Sequence, residues 1–338
     1  MKKTTKNLLL AAGVATVTAV AVTALYKKSI AELMKIALDR EESKMLQRSK
    51  QKLTGGKSVE LSETINQVMQ ASEELRAQET ETVEITADDG IRLIGHYDAG
   101  QPPRRVLVAM HGWRSSWSQD FGIISKFWRE NGCAVLYPEQ RGQGQSGGDY
   151  MGFGLLERHD CLSWIKWVHE RTGGKLPIYP VGISMGATTV MMTAGSPELP
   201  SSIAGIAADC GFTSPHAIWK HVVQNNLHIP YGIYNAAARD ICQKKLQISP
   251  DAYSCPDALA NCRVPVLFIH GTDDKFVPIE MTYENYKACA APKQLLVVPG
   301  AEHGTSYLVD REGYENATLR FWADCERAWS PDDTPQEQ

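Results

Sequence analysis

The sequence has no CxxC pair and no group of cysteines and histidines at metal-ligand spacing, although it carries eight cysteines. That removes the sequence patterns of a zinc site, and neither a metal nor a cofactor is expected. The cysteines, at positions 133, 161, 210, 242, 255, 262, 289 and 325, are scattered along 338 residues. A core of that size needs no disulfides. Reduced thiols serving as small apolar side chains are expected, with Cys255 and Cys262 the pair to inspect for a bridge. Also missing is any basic run with interleaved aromatics. The formal net charge is -4, and no acidic residue falls within the first 28 positions, which hold Lys2, Lys3, Lys6, Lys27 and Lys28. The remainder is therefore more acidic than the whole chain, and it would repel nucleic-acid phosphates. Nucleic acid is not an expected partner. With 43% hydrophobic and 22% charged residues, the composition is that of a globular chain rather than a disordered one.

Leu8 to Tyr26 is an uncharged stretch flanked by lysines on both sides. As a helix rising ~1.5 Å per residue it would just cross a hydrocarbon core. Two readings compete: an uncleaved membrane anchor over 1–28, or a secretory signal cleaved after Ala21 or Ala24. The anchor is preferred, because Lys27 and Lys28 are unusual just after a cleavage site. It puts the main domain outside the cytoplasm, although lysines at both ends make the charge rule a weak guide to orientation. Residues 29–80 form the next segment. Ile30, Leu33, Met34, Ala37 and Leu38 recur at helical spacing, as do Ile65, Val68, Met69 and Leu75, with Gly55-Gly56 as a breaker between them. A helical spacer with one face on the main domain is expected. Residues 331–338 read as a polar tail.

From 81 to 330 the chain alternates short apolar runs with helical stretches. Val83 to Ala87 and Ile91 to His96 flank the turn Asp88-Asp89-Gly90 and predict a hairpin. Further strands are predicted at Val106–Met110, Cys133–Tyr137, Pro177–Val181, Ile203–Ala208, Val266–Ile269 and Leu295–Val298. Helices are predicted around Phe121–Glu130, Leu155–Arg171, Met185–Ala194, Thr282–Ala290 and Tyr314–Ala328. This alternation predicts an α/β domain with a mostly parallel sheet covered on both faces, its ligand site at the carboxyl ends of the strands. The gap from Asp209 to Val264 is too long for an ordinary connection. A small helical cap, about 211–262, is expected there.

Gly182-Ile183-Ser184-Met185-Gly186 lies between a predicted strand and a predicted helix. A GxSxG at such a turn lifts the serine hydroxyl above the sheet, and the glycines let backbones pass closely. The plainer alternative is a serine capping a helix. A serine hydroxyl needs a base, and the base a third group to orient it. At an elbow of this kind the chain order is serine, acid, histidine. Of the later histidines, 216, 221 and 228 fall in the cap, and His270 precedes the available acids. His303 alone follows the last strand and is the expected base. Both Asp273 and Asp274 are available as the acid. One oxyanion-binding amide is that of Met185, the residue after the serine.

From about Thr82 to Ala328 the chain resembles the α/β-hydrolase superfamily, closest to its serine-aminopeptidase-like and prolyl-oligopeptidase-like branches. The resemblance implies an α/β-hydrolase fold with no propeller domain. The pattern HGxxDxxVP in His270 to Pro278 implies Asp274 as the acid. His111-Gly112-Trp113 resembles the HG-aromatic segment and implies the Trp113 amide as the second oxyanion donor, with His111 shaping that loop beside the substrate. Arg141 to Gly148 resembles the RGxGxS turn, and no P-loop lysine follows it. Glu157 and Asp160 fit a recurring pattern whose role is to hold loops. The implied activity is hydrolysis of a small-molecule carboxylic ester through an acyl-enzyme, with peptide or aminopeptidase-like amide hydrolysis as the alternative. A non-catalytic binding protein on this fold would be expected to have lost one of these residues. Trp219 and Tyr231 in the cap are the expected pocket walls. The sequence carries no signal for oligomeric state.

Overall fold

The computed structural model describes residues 28–42, 59–100 and 102–329. The stretch 8–26 and the Gly55-Gly56 breaker lie outside the described residues, as does the tail 331–338. No helix among the described residues is long and apolar enough to cross a membrane. One sheet runs β1 (Glu81–Thr86), β2 (Arg92–Asp98), β3 (Arg105–Met110), β4 (Cys133–Glu139), β5 (Ile178–Ile183), β6 (Ile206–Asp209), β7 (Val266–Gly271) and β8 (Lys293–Val298) along the chain. Its spatial order is β1-β2-β4-β3-β5-β6-β7-β8. The two hairpin strands pair antiparallel at one edge, and every pairing from β4 to β8 is parallel.

The apolar runs read from the sequence are continuous because both sheet faces are covered. Along β3, Val106, Val108 and Met110 face one core with Trp164, Ile165 and Met191. Leu107 and Ala109 face the opposite core with Phe121, Trp128, Tyr179 and Trp322. The period-two alternation of side chains across a strand thus feeds two hydrophobic layers. Helices Trp117–Glu130 and Arg311–Ala328 cover the second face; Glu157–Thr172 and Met185–Thr193 cover the first.

Between β6 and β7 the chain forms helices Pro215–His221, Tyr231–Leu246 and Cys255–Leu259, with a π-helical turn at Val222–Asn226. This is the helical cap. Cys255 and Leu259 pack into the first core of the sheet, whereas the apolar sides of Pro215–His221 and Tyr231–Leu246 join a third core, to which the helix at 28–38 contributes Ile30, Met34 and Leu38. Burying a large aliphatic side chain stabilises by about 1.5–3 kcal/mol. With three such residues buried, this helix is fastened to the cap rather than strung alongside it.

Helix Val59–Arg76 packs along Trp117–Glu130. Gly122 is needed at that crossing, since a Cβ there would come 2.7 Å from the Ala71 carbonyl. Across the same contact the Ser72 and Ser118 hydroxyls hydrogen-bond at 2.9 Å. The segment expected as a spacer is therefore built into the body at 28–38 and at Val59–Arg76. All eight cysteines are free and buried. Cys255 and Cys262 form no bridge; the Cys262 thiol instead meets that of Cys289.

Candidate active site

Ser184 sits at the turn between β5 and helix Met185–Thr193 with φ 56 and ψ -116, a backbone conformation rare for a residue with a side chain. The surroundings enforce it. The Ser184 amide donates to Asp209 O at 2.9 Å, and Ser184 O accepts from Thr188 N at 3.0 Å. A Cβ at Gly186 would stand 1.8 Å from Met110 O, and one at Gly182 would stand 2.3 Å from the Gly186 backbone. Only glycine fits at either flank. The serine hydroxyl makes no capping bond to its helix; it is turned toward another partner.

That partner is His303. Its Nε2 lies 2.8 Å from Ser184 Oγ, and its Nδ1 lies 2.7 Å from Asp274 Oδ2. Asp274 Oδ1 accepts from the amides of Phe276 at 2.9 Å and Val277 at 2.8 Å. His270 Nε2 lies 3.2 Å from Asp274 Oδ2. Burial raises the Asp274 pKa, but the hydrogen bonds from His270 and His303 and the Val277 amide outweigh it, and the carboxyl stays ionised well below its usual range. Asp273 is exposed and accepts from the Thr272 hydroxyl at 2.7 Å instead. Of the two adjacent aspartates, then, Asp274 meets the histidine. Phe276 packs edge-on against the His303 ring, 5.0 Å between centroids.

The loop after β3 lies directly against the serine: a Cβ at Gly112 would be 3.5 Å from Ser184 Cβ. Asp120 holds this loop. Its Oδ2 accepts from Gly112 N at 2.6 Å, and its Oδ1 accepts from Ser115 Oγ. His111 is buried below, its Nδ1 2.9 Å from Gly112 O and its Nε2 accepting from Gln140 N at 3.1 Å. Burial lowers its pKa, in keeping with a neutral ring. No acceptor is found among the described residues for the amides of Trp113 and Met185. The site therefore combines a hydroxyl aligned with an imidazole, an ionised carboxylate behind that imidazole, and two amides in the loop and at the helix start. Such a set can move the serine proton to His303 and receive negative charge on an oxygen.

Two cavities open on Ser184. One, about 110 Å³, is lined by Leu33, Ile36, Phe153, Trp219, Tyr234 and their apolar neighbours, with no charged side chain among the described lining residues. The wider one runs between His303, Asp120 and the helix Val59–Arg76. Trp219 lines the apolar cavity. Tyr231 does not: it is buried against His216, 5.5 Å between ring centroids, and Tyr234 takes the wall position. Nor does His111 line either cavity, because both of its nitrogens are engaged behind the loop. Arg141 grips buried Asp160 at 2.6 and 2.5 Å, and Glu157 accepts from the amides of Gly152 and Gly154 at 2.5 and 2.8 Å. Both acids hold loops away from the serine.

Two residues of the site, Asp120 and Cys210, carried no usable sequence signal, and the contact of His270 with Asp274 was not legible from its place in HGxxDxxVP. Asp120 reads as an acid in a helix's first turn, which the helix dipole favours anyway. His270 reads as the end of a strand. Cys210 lies with Asp274 and His303 in one cluster, their ligand atoms within 4.8 Å of one another, yet in sequence it is one scattered cysteine.

A family model described as serine aminopeptidase, S33, matches residues 101–230. The protein YqkD of Bacillus subtilis (strain 168) is 25% identical over 241 residues, covering 69% of this chain and 75% of its own. YfhR of Escherichia coli (strain K12) is 25% identical over 242 residues, covering 69% and 76%. Among solved structures, the Pyrococcus furiosus esterase Pf2001 superposes with a TM-score of 0.60 at 22% identity, over 74% of this chain and 91% of that one. A proline iminopeptidase of Mycobacterium smegmatis superposes with a TM-score of 0.54 at 16% identity, over 73% and 99%. The fold is that of the α/β-hydrolases. In its sheet and elbow the chain is similar to α/β-hydrolases of esterase and peptidase type.

Proposed function

We propose that the protein is a serine hydrolase that cleaves carboxylic esters through an acyl-enzyme. The observation that carries this reading is the unbroken line Ser184 Oγ, His303, Asp274, with contacts of 2.8 and 2.7 Å. Ser184 Oγ attacks the ester carbonyl carbon while His303 Nε2 takes its proton. The carbonyl oxygen, now negative, is received by the Trp113 and Met185 amides. As the intermediate collapses, the bond to the alcohol oxygen breaks and His303 returns the proton to that oxygen. Water then repeats the sequence on the acyl-enzyme. Asp274 keeps the imidazole in the tautomer that presents a bare Nε2 to the serine.

Ester is preferred to amide because the narrower cavity at Ser184 has no charged side chain among its described lining, and the carboxylates of the wider one, Asp120 and Asp209, are already engaged by Gly112 N, Ser115 Oγ and Ser306 Oγ. An aminopeptidase must bind a free ammonium group, which is costly to bury without a carboxylate. The match of 101–230 to a serine aminopeptidase model supports amide hydrolysis as the second reading. A panel of p-nitrophenyl esters beside aminoacyl and prolyl amides separates the two; faster turnover of the amides would reverse the preference. Ser184→Ala should abolish fluorophosphonate labelling and lower turnover by several orders of magnitude while the fold persists. Undiminished labelling would overturn the nucleophile.

The lysine-flanked apolar stretch 8–26 supports a single N-terminal anchor with the catalytic domain outside the cytoplasm. N-terminal sequencing of the mature protein tests it: a start near Val22 or Leu25 would mean a cleaved signal and a secreted enzyme.

A further inference from the structure

We propose that the helix at 28–38 is the specificity wall of an acyl-chain site and, through its carboxyl end, the brace of the oxyanion loop. This rests on the serine-hydrolase reading above and deepens it. The chemistry divides the two cavities. His303 must hand its proton to the departing alcohol, so the alcohol lies on the histidine side. The wider cavity contains His303, with Ser115, Gln119, Asp120 and Thr305 beside apolar Ile65, Val68 and Trp128, and so takes the alcohol. The apolar cavity touches Ser184 and Trp113 but not His303, so it takes the acyl chain. Its floor and sides come from the cap and from Phe153, and its remaining wall is Leu33, Ile36 and Ala37 of the N-terminal helix. Substrates of this site are esters of an extended apolar acyl chain, whose accepted length is set from outside the α/β core.

The same helix is tied to the loop that receives the oxyanion. Trp113 Nε1 donates to Ala37 O at 2.8 Å. The Arg114 guanidinium donates to Ile36 O at 3.0 Å, Asp39 O at 2.5 Å and Arg40 O at 3.4 Å. A helix leaves its last carbonyls without partners, and a cation there is favoured by the helix dipole. Arg114 meets both needs while its own backbone is held at φ 51, in the left-handed region. One residue earlier stands the Trp113 amide, so the brace fixes the direction of that N–H. Arg40 then fastens the far side of the segment to the glycine-rich turn through Ser146 O at 2.7 Å and Gly144 O at 2.6 Å. Pocket wall and loop brace are one element.

The test uses the full chain and p-nitrophenyl esters from acetate to decanoate, with kcat/KM measured at each length. Leu33→Trp and Ile36→Trp fill the cavity and should lower the octanoate-to-acetate ratio at least tenfold, since one methylene in an apolar pocket is worth roughly 10–200-fold. Leu33→Ala empties it and should move the optimum to longer chains; it needs no new room and carries the test if the tryptophan variants do not fold. Arg114→Lys keeps the charge and loses the three-carbonyl grip. It should lower kcat about tenfold at every chain length with KM little changed, because a misdirected amide weakens the transition state rather than binding. Ratios unmoved by all three pocket variants, with Ser184 still labelled by fluorophosphonate, would remove the acyl site and leave the serine hydrolase standing. A rise in KM alone in Arg114→Lys would remove the brace. No hydrolysis of any ester by the wild-type protein would take down both.

Discussion

Asp273 and Asp274 are chemically identical neighbours, and their surroundings separate them. Asp274 is buried, with two backbone amides and two histidines around it, whereas Asp273 is exposed beside Thr272. On the proposed mechanism, Asp274→Asn should lower kcat about 10³–10⁴-fold, because the amide favours the wrong imidazole tautomer. Asp273→Asn should cost less than tenfold on the same p-nitrophenyl acetate assay; equal losses would move the acid to Asp273. Asp209 poses a different case. It is fully buried at the end of β6, and burial raises its pKa to about 6 although Ser306 Oγ donates to it at 3.1 Å. A raised carboxyl means the folded state holds the proton more tightly than the unfolded one. Stability from this group is full below pH ~4 and declines as pH rises through ~6, by an amount on the order of 2–3 kcal/mol. Asp209→Asn should therefore be more stable than wild type at pH 8, with the gap closing near pH 4. Urea unfolding at the two pH values measures it, and a gap independent of pH would show that the Asp209 charge is not the cause.

At the scale of elements, the elbow between β5 and its helix tolerates nothing larger than glycine on either side of Ser184. Gly186→Ala would drive a methyl into Met110 O, backbone that cannot give way, and should cost more than ~4 kcal/mol or prevent folding. Gly300→Ala serves as the contrast. Gly300 has φ +76 and open space around it, so alanine there meets only the left-handed strain of about 1–2 kcal/mol. Denaturant melts of the pair check the prediction; equal costs would mean that close approach is not what selects glycine in GxSxG. The cap behaves similarly as a unit. Its aromatics were legible as a group, but which of them face the substrate was not. Tyr231 turns to His216 while Tyr234 faces the cavity, because a helix sends positions three apart to nearby but distinct directions.

For the whole molecule, the described part of the segment before residue 80 packs with the α/β core and the cap. The helices at 28–38 and Val59–Arg76 line the two cavities, through Leu33 and Ile36 in one and Ile65 and Val68 in the other. Removing residues 1–27 leaves every described contact in place and should retain hydrolysis of water-soluble short esters. Removing 1–42 also takes away the apolar wall and the partners of Arg114, and should lose most activity on every ester. The comparison is made on the two purified proteins, each first checked for a cooperative melt. Full activity in the shorter one would mean that the α/β core and cap suffice alone.

The sequence by itself determined the sheet, because strands buried on both faces must be apolar throughout and the helices between them must carry their own period. It determined the elbow too, since Ser184 with glycines on both sides in a strand–helix turn satisfies a local steric demand. The tertiary structure decided what depends on distant meetings. The contact of Ser184 with His303 spans 119 residues, and that of Arg114 with the helix at 28–38 spans more than 70. Nothing in local periodicity distinguishes a helix that merely packs on a surface from one that walls a cavity. Both need one apolar stripe, and only the position of the other side of the stripe's contact tells them apart.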